Sequence, residues 1–155
     1  MSSRLDRTLR IARFGDHDLP VPAAESDGAA GLDIRTNEDI VLWPNEELLV
    51  GTGFAYEPPL GHALFLLPRS GLGATHGIIL GNTVGLIDTD YRGELKVALW
   101  YRRSEGKPFT ASRGERIAQL VCLPILPPSF ALEVDYSMLS TTARGQGGFG
   151  SSGQK

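Results

Sequence analysis

Glycine and proline recur at short, nearly regular intervals along this chain, and the apolar stretches between them are long enough for strands but not for core helices. The punctuation falls at Pro44, Gly51, Pro58, Pro59, Gly61, Pro68, Gly77, Gly85, Gly93 and Gly106. Between these positions lie Ile40 to Trp43, Leu48 to Tyr56, Ala63 to Leu67, Ile78 to Leu80, Leu95 to Tyr101, Ile117 to Ile125 and Phe130 to Val134. Short runs rich in Val, Ile, Leu and aromatics, bounded by turn residues, predict an all-β sandwich or barrel. No stretch repeats apolar residues at i, i+3, i+4 and i+7 over three turns, so at most one short helix is expected, around Leu72 to His76. There is no internal repeat and no linker that would split residues 1–143.

The final segment differs in kind. From Arg144 to Lys155 the chain reads RGQGGFGSSGQK, with five glycines and one large apolar residue, Phe149. Ordering such a segment costs much backbone entropy. It reads either as a frayed tail or as an arm that orders over a ligand. An arginine, approachable backbone amides, two hydroxyls and an aromatic ring would suit a nucleotide.

Charge and cysteine content narrow the classes of partner. Fifteen Lys and Arg against 18 Asp and Glu give a net charge of −3, which offers no global attraction to nucleic acid or anionic lipid. The single cysteine, Cys122, precludes an intrachain disulfide and a multi-cysteine zinc site. Charged residues interrupt the first twenty positions, leaving no signal-peptide core, and the run from Ala63 to Pro68 is far too short to span a bilayer. The expectation is a soluble cytoplasmic protein without nucleic-acid or membrane partners.

Four further segments hold more special residues than folding demands. Ala30-Gly-Leu-Asp33 is a small-residue turn leading to an aspartate, readable as a capped turn or as part of a site. PRSGLG, Pro68 to Gly73, places Arg69, Ser70 and the Gly71 amide where they could converge on phosphate oxygens, or where Ser70 could simply cap a helix. GNTVGLIDTDYRGEL, Gly81 to Leu95, sets Asp88 and Asp90 around Thr89 with Tyr91 following. That is either a solvated hairpin turn or a buried carboxylate serving as general base beside a flat ligand. RGERIAQL, Arg113 to Leu120, puts Gln119 in an apolar strand, where it needs a structural or ligand hydrogen-bond partner.

Taken together and in this order, these pieces resemble the five motifs of the trimeric dUTPase family (deoxyuridine triphosphate nucleotidohydrolases), and HGIILGN resembles its bacterial branch. The resemblance runs from about Pro20 to Gly153. It implies an antiparallel β jelly roll of the β-clip, dUTPase-like kind, with a flexible Gly-rich arm over residues 144–155 and a homotrimer that shares its active sites. It implies hydrolysis of dUTP to dUMP and pyrophosphate, with Asp88 activating the attacking water. Asp33 and Gln119 are counted with Asp88 as catalytic. Tyr91 would pack under the deoxyribose, Asn82 would read uracil, and Gly85 and Lys96 would lie beside the substrate. Arg69, Ser70 and Gly71 would hold phosphates. In the arm, Arg144 would pair with the γ-phosphate and Phe149 would stack on uracil, while Gly147, Gly148, Gly150, Ser151 and Ser152 would wrap the triphosphate. The implied cofactor is Mg²⁺, held mainly by substrate phosphates and waters rather than by direct protein ligands. The alternative is a dCTP deaminase, or a bifunctional deaminase/dUTPase, of the same fold.

Overall fold

The computed structural model describes residues 8–126 and 128–146. The chain divides into two compact units, one ending at Ile125 and one starting at Leu126. The first unit contains eleven strands: β1 Arg10–Arg13, β2 Leu32–Arg35, β3 Ile40–Leu42, β4 Glu47–Gly51, β5 Phe54–Glu57, β6 His62–Pro68, β7 Ile78–Leu80, β8 Gly85–Ile87, β9 Lys96–Tyr101, β10 Phe109–Ala111 and β11 Arg116–Pro124. They assemble as a four-stranded sheet β2-β11-β6-β8, a three-stranded sheet β4-β9-β7, and the pairs β1-β5 and β10-β3. Every pairing is antiparallel: the all-β class that the punctuation predicts, and the jelly-roll architecture that the resemblance implies.

Alternation of side chains explains how the core forms. On β9, Val97, Leu99 and Tyr101 point inward while Lys96, Ala98 and Trp100 face the other way. Ile34, Leu42, Leu64, Leu80, Val97 and Leu120 are almost fully buried and belong to one continuous apolar cluster. Truncating any of them to alanine would cost a few kcal/mol, about 2–5 for the larger side chains.

Three sequence expectations need refinement. The run Leu48 to Tyr56 is two strands, because Gly53 adopts φ +74° and the buried Thr52 donates its hydroxyl to the Leu95 carbonyl at 2.7 Å. The chain thereby leaves the sheet with β9 and joins β1. The stretch Asn82 to Tyr91 is not a hairpin: β7 pairs with β9, whereas β8 pairs with β6, so the chain changes sheets on either side of β8. Finally, Phe130 to Val134 forms no strand, since no described strand offers its backbone a ladder.

Among the described residues, the one short helix of the first unit is a five-residue π-type turn, Leu72–His76, closed by left-handed Gly77. In the second unit, single 3-10 turns occupy Pro128–Phe130 and Tyr136–Met138. Asp135 caps the latter by accepting from the Ser137 amide at 2.8 Å. No helix among the described residues is long and apolar enough to cross a membrane.

Candidate active site

Two groups of candidate site side chains arise in the first unit. One sits at the end of the four-stranded sheet. Asp33 on β2 lies directly opposite Gln119 on β11, and paired residues of an antiparallel ladder project to the same face. The register slips by one residue between Arg116 and Ala118. Ile117 and Ala118 are consequently both buried, and Arg116 emerges on the face of Gln119, where strict alternation would have opposed them. That bulge brings Arg116 to Asp33, whose Oδ2 accepts from Arg116 Nη1 at 3.1 Å. Asp33 Oδ1 lies 3.5 Å from Arg69 Nε, and Arg69 Nη1 also donates to the Arg116 carbonyl at 3.2 Å. Glu25 completes the group, accepting from Arg116 Nη1 at 2.8 Å.

This arrangement is electrostatically consistent. The hydrogen bond to Asp33 and the nearby Glu25 charge hold the Arg116 guanidinium above its ordinary value. Gln119 Nε2 donates to the Pro68 carbonyl at 2.9 Å, which fixes the end of β6 just before Arg69. Gly31 is required at the approach to Asp33: a Cβ there would stand 2.8 Å from the Leu120 carbonyl oxygen. Arg69 and Arg116, with Arg35, His76 and Phe109, line a cleft of about 470 Å³. Ser70 and Gly71 follow Arg69 at the start of the short turn, where no side chain caps the amides. Five residues are too few for a strong axial dipole.

The second group is built around β8. Asn82, Gly85, Asp88, Tyr91 and Lys96 line a cleft of about 370 Å³ together with Leu49, Leu66, Leu86 and Glu94. Asn82 opens a turn in which Thr83 takes φ +61°. Gly85 is buried against Leu66, whose Cβ would be 3.0 Å from any Cβ at that position. The Asp88 carbonyl accepts from the Tyr91 amide at 3.2 Å, and the Tyr91 hydroxyl donates to the Glu94 carbonyl at 2.9 Å. The ring of Tyr91 covers Gly93 closely, with Cζ 2.6 Å from where a Cβ would sit. Asp88, readable from the sequence as a buried carboxylate or as part of a solvated turn, is exposed among the described residues, in a turn that joins strands of two different sheets. Tyr91 is 46% exposed.

The two clefts have no lining residue in common. Among the described residues no group of three or more His, Cys, Asp or Glu side chains could hold a metal ion, and both oxygens of Asp33 already face guanidinium groups. The donor set is compatible with Mg²⁺ carried on ligand oxygens and waters and met directly by at most one or two carboxylates.

The dUTPase family model matches residues 17–153, a span that contains every residue of both clefts. This chain belongs to the dUTPase family. Among its relatives, the deoxyuridine 5'-triphosphate nucleotidohydrolase of Coxiella burnetii is 51% identical over 142 residues, covering 88% of this chain and 89% of that protein. The Neisseria meningitidis protein of the same name is 52% identical over 136 residues, covering 86% and 87% respectively. The solved dUTPase of Staphylococcus bacteriophage 80alpha with dUPNHPP superposes with a TM-score of 0.83 at 28% identity, over 95% of this chain and 99% of that one.

Against the family motifs, the predicted site residues fall into three places. Asp33, Arg69, Ser70, Gly71 and Gln119 gather at the end of the four-stranded sheet. Asn82, Gly85, Asp88, Tyr91 and Lys96 share the second cleft. Arg144 belongs to the second unit, beside a turn in which the Gly145 amide donates to the Thr142 carbonyl at 3.1 Å. Gly147, Gly148, Phe149, Gly150, Ser151 and Ser152 lie outside the described residues. Sequence reasoning assigned no role to Arg116, Glu25 or Glu94. Arg116 stands in the RGERIAQL segment, but its alignment with Gln119 depends on a bulge that no residue type announces. Glu25 and Glu94 carry no signal beyond being charged residues near motifs.

Proposed function

We propose that this chain hydrolyses dUTP to dUMP and pyrophosphate. The observation that carries the reading is the convergence of Asp88, Tyr91, Asn82 and Lys96 on one cleft whose apolar wall is made by Leu66 and Leu86. A flat pyrimidine suits such a slot, with the Asn82 amide and nearby backbone groups meeting its polar edge. A rigid backbone-lined wall rejects thymine by overlap, since a methyl group by itself is worth only about 1–3 kcal/mol of discrimination. The Tyr91 ring lies beneath the sugar and leaves no room for a 2′-hydroxyl.

The chemical step is in-line attack by water on the α-phosphorus. Asp88 orients that water and takes its proton as the new P–O bond forms. The bond to the α–β bridging oxygen breaks, and pyrophosphate leaves. Arg69, Ser70, the Gly71 amide and Gln119 hold phosphate oxygens, while Asp33, clamped by Arg69 and Arg116, fixes the orientation of the Arg69 guanidinium. Mg²⁺ carried on the triphosphate with its waters would supply charge neutralisation. Arg144 and the arm, including Phe149 and the hydroxyls of Ser151 and Ser152, close over the substrate and supply the desolvation that the exposed Asp88 needs.

We further propose that the two sets meet one substrate from different copies of the chain, as the family resemblance implies. A homotrimer with shared sites is part of this proposal. In the cytoplasm, the reaction would keep uracil out of DNA and supply dUMP for thymidylate synthesis. The test is pyrophosphate release from dUTP, dTTP, dCTP and UTP, each with Mg²⁺ and with chelator. Turnover confined to dUTP and dependent on Mg²⁺ is expected. Ammonia released from dCTP, or equal turnover of all four, would overturn the reading.

A further inference from the structure

The turn from Asp88 to Gly93 joins strands of two different sheets, so no ladder hydrogen bonds hold it in place. Besides the Tyr91 amide and hydroxyl contacts within the turn, the Arg92 side chain braces it and connects it to a neighbouring strand. Arg92 Nη1 donates to the Thr89 carbonyl at 2.7 Å and to the Tyr91 carbonyl at 3.0 Å. Its Nη2 donates to Glu57 Oε1 at 3.2 Å. Glu57 closes β5 and stands in register with Arg10 of β1, whose Nη1 donates to Glu57 Oε2 at 2.8 Å. A single guanidinium thus closes the turn internally and ties it to a carboxylate on an adjacent strand pair. That carboxylate is in turn held by the N-terminal strand, which carries no family motif.

We propose that Arg92 and Glu57 are positioning residues for the Asp88–Tyr91 turn, with Arg10 the outer anchor. The inference rests on the proposed role of that turn in dUTP hydrolysis. Arg92 touches neither the water nor the sugar; it fixes the backbone on which Asp88 and Tyr91 are mounted. The geometry favours arginine over lysine. The guanidinium reaches the two carbonyls from Nη1 and the carboxylate from Nη2, whereas an ammonium would have to meet all three acceptors from one nitrogen. The ion pairs are exposed, so they add little to global stability. A reacting group misplaced by about 1 Å can nevertheless cost about a hundredfold in rate. A large kinetic effect with a small thermal one is the signature that separates positioning from bulk structure.

The test uses the full-length chain and begins with wild-type turnover of dUTP. A wild type inert on dUTP removes the functional reading and this inference with it. Given an active wild type, Arg92→Ala is expected to lower kcat for dUTP by about 10- to 100-fold and to narrow the ratio of kcat/KM for dUTP over UTP. The melting temperature should move by no more than about 4 °C. Arg92→Lys should recover only part of the loss. Glu57→Gln should lower kcat less than Arg92→Ala does, and the double variant should be no slower than Arg92→Ala alone. Unchanged kcat and unchanged sugar discrimination in Arg92→Ala would overturn the proposal. So would a loss of kcat that tracks a fall in melting temperature while the dUTP-to-UTP ratio stays constant, or fully additive effects in the double variant.

Discussion

Replacing Gly93 with alanine should damage sugar discrimination while leaving the fold nearly intact. The new Cβ would stand 2.6 Å from Tyr91 Cζ and 2.9 Å from Cε2. Carbon atoms in contact settle at about 3.5–4.0 Å, so the ring must retreat by about 1 Å. The retreat is inexpensive, because Tyr91 is half-exposed and its hydroxyl is held by one hydrogen bond, to the Glu94 carbonyl. Losing that bond costs about 0.5–1.5 kcal/mol. Gly93 is not in the left-handed region, so alanine adds no backbone strain and recovers about 0.4–1 kcal/mol by restricting the unfolded chain. Net stability should therefore change by less than about 1 kcal/mol. The kinetic effect is larger: a 1 Å shift of the surface under the sugar should reduce kcat/KM for dUTP by about 10- to 100-fold, and UTP should lose much less because the retreat opens space at the 2′ position. Steady-state kcat/KM for both nucleotides, with thermal melts of the same preparations, gives the answer. A dUTP-to-UTP ratio equal to wild type would refute the placement of the ring beneath the sugar.

Three further outcomes follow from the same geometry. Asp88→Asn should bind a non-hydrolysable dUTP analogue about as well as wild type by calorimetry, while kcat drops by about 10²–10⁴; undiminished turnover would remove Asp88 from the chemistry. Tyr56→Phe should raise stability by about 1 kcal/mol, read as a rise in melting temperature of about 2–4 °C at fixed protein concentration. The Tyr56 hydroxyl is buried with no hydrogen-bond partner among the described residues, and burial pushes the phenol well above its ordinary value; a lower melting temperature would contradict this. On acidification, Glu57 is held below its ordinary value of 4.5 by the Arg10 hydrogen bond, and Asp18 below 3.8 by Arg113. With native values depressed, their stabilising contribution is complete above those ordinary values and disappears as pH falls through the native ones. Urea midpoints should therefore fall less between pH 5 and pH 3 in Glu57→Gln than in wild type, and parallel curves would exclude the Glu57 contribution.

The strand pattern was legible because short apolar runs and turn residues act locally. Ile78 to Leu80 is a strand at the same boundaries in sequence and structure, and the helix at Leu72–His76 likewise matches. What could not be read depends on partners distant in the chain. The break at Thr52 and Gly53 is invisible within an apolar run, since it is enforced by the Leu95 carbonyl across the sheet. The meeting of Asp33 with Gln119 follows from pairing of β2 with β11, and that of Arg116 with Asp33 from a bulge. Phe130 to Val134 illustrates the opposite error: an apolar composition suited to a strand does not make one unless another backbone is available to satisfy it. The site motifs were recognisable as types of chemistry, but their separation into two clefts is a matter of three-dimensional placement that residue order does not encode.

The bulge on β11 makes the clamp on Asp33 depend on a local irregularity of one strand rather than on the identity of the residues inside it. Exchanging Ile117 for another branched side chain alters only how the interior is filled. Drawing these same residues into an unbulged ladder would turn the guanidinium of Arg116 toward the interior, away from the carboxylate it clamps. At a spacing of three residues, the arginine and the glutamine face the same way only for as long as that irregularity persists.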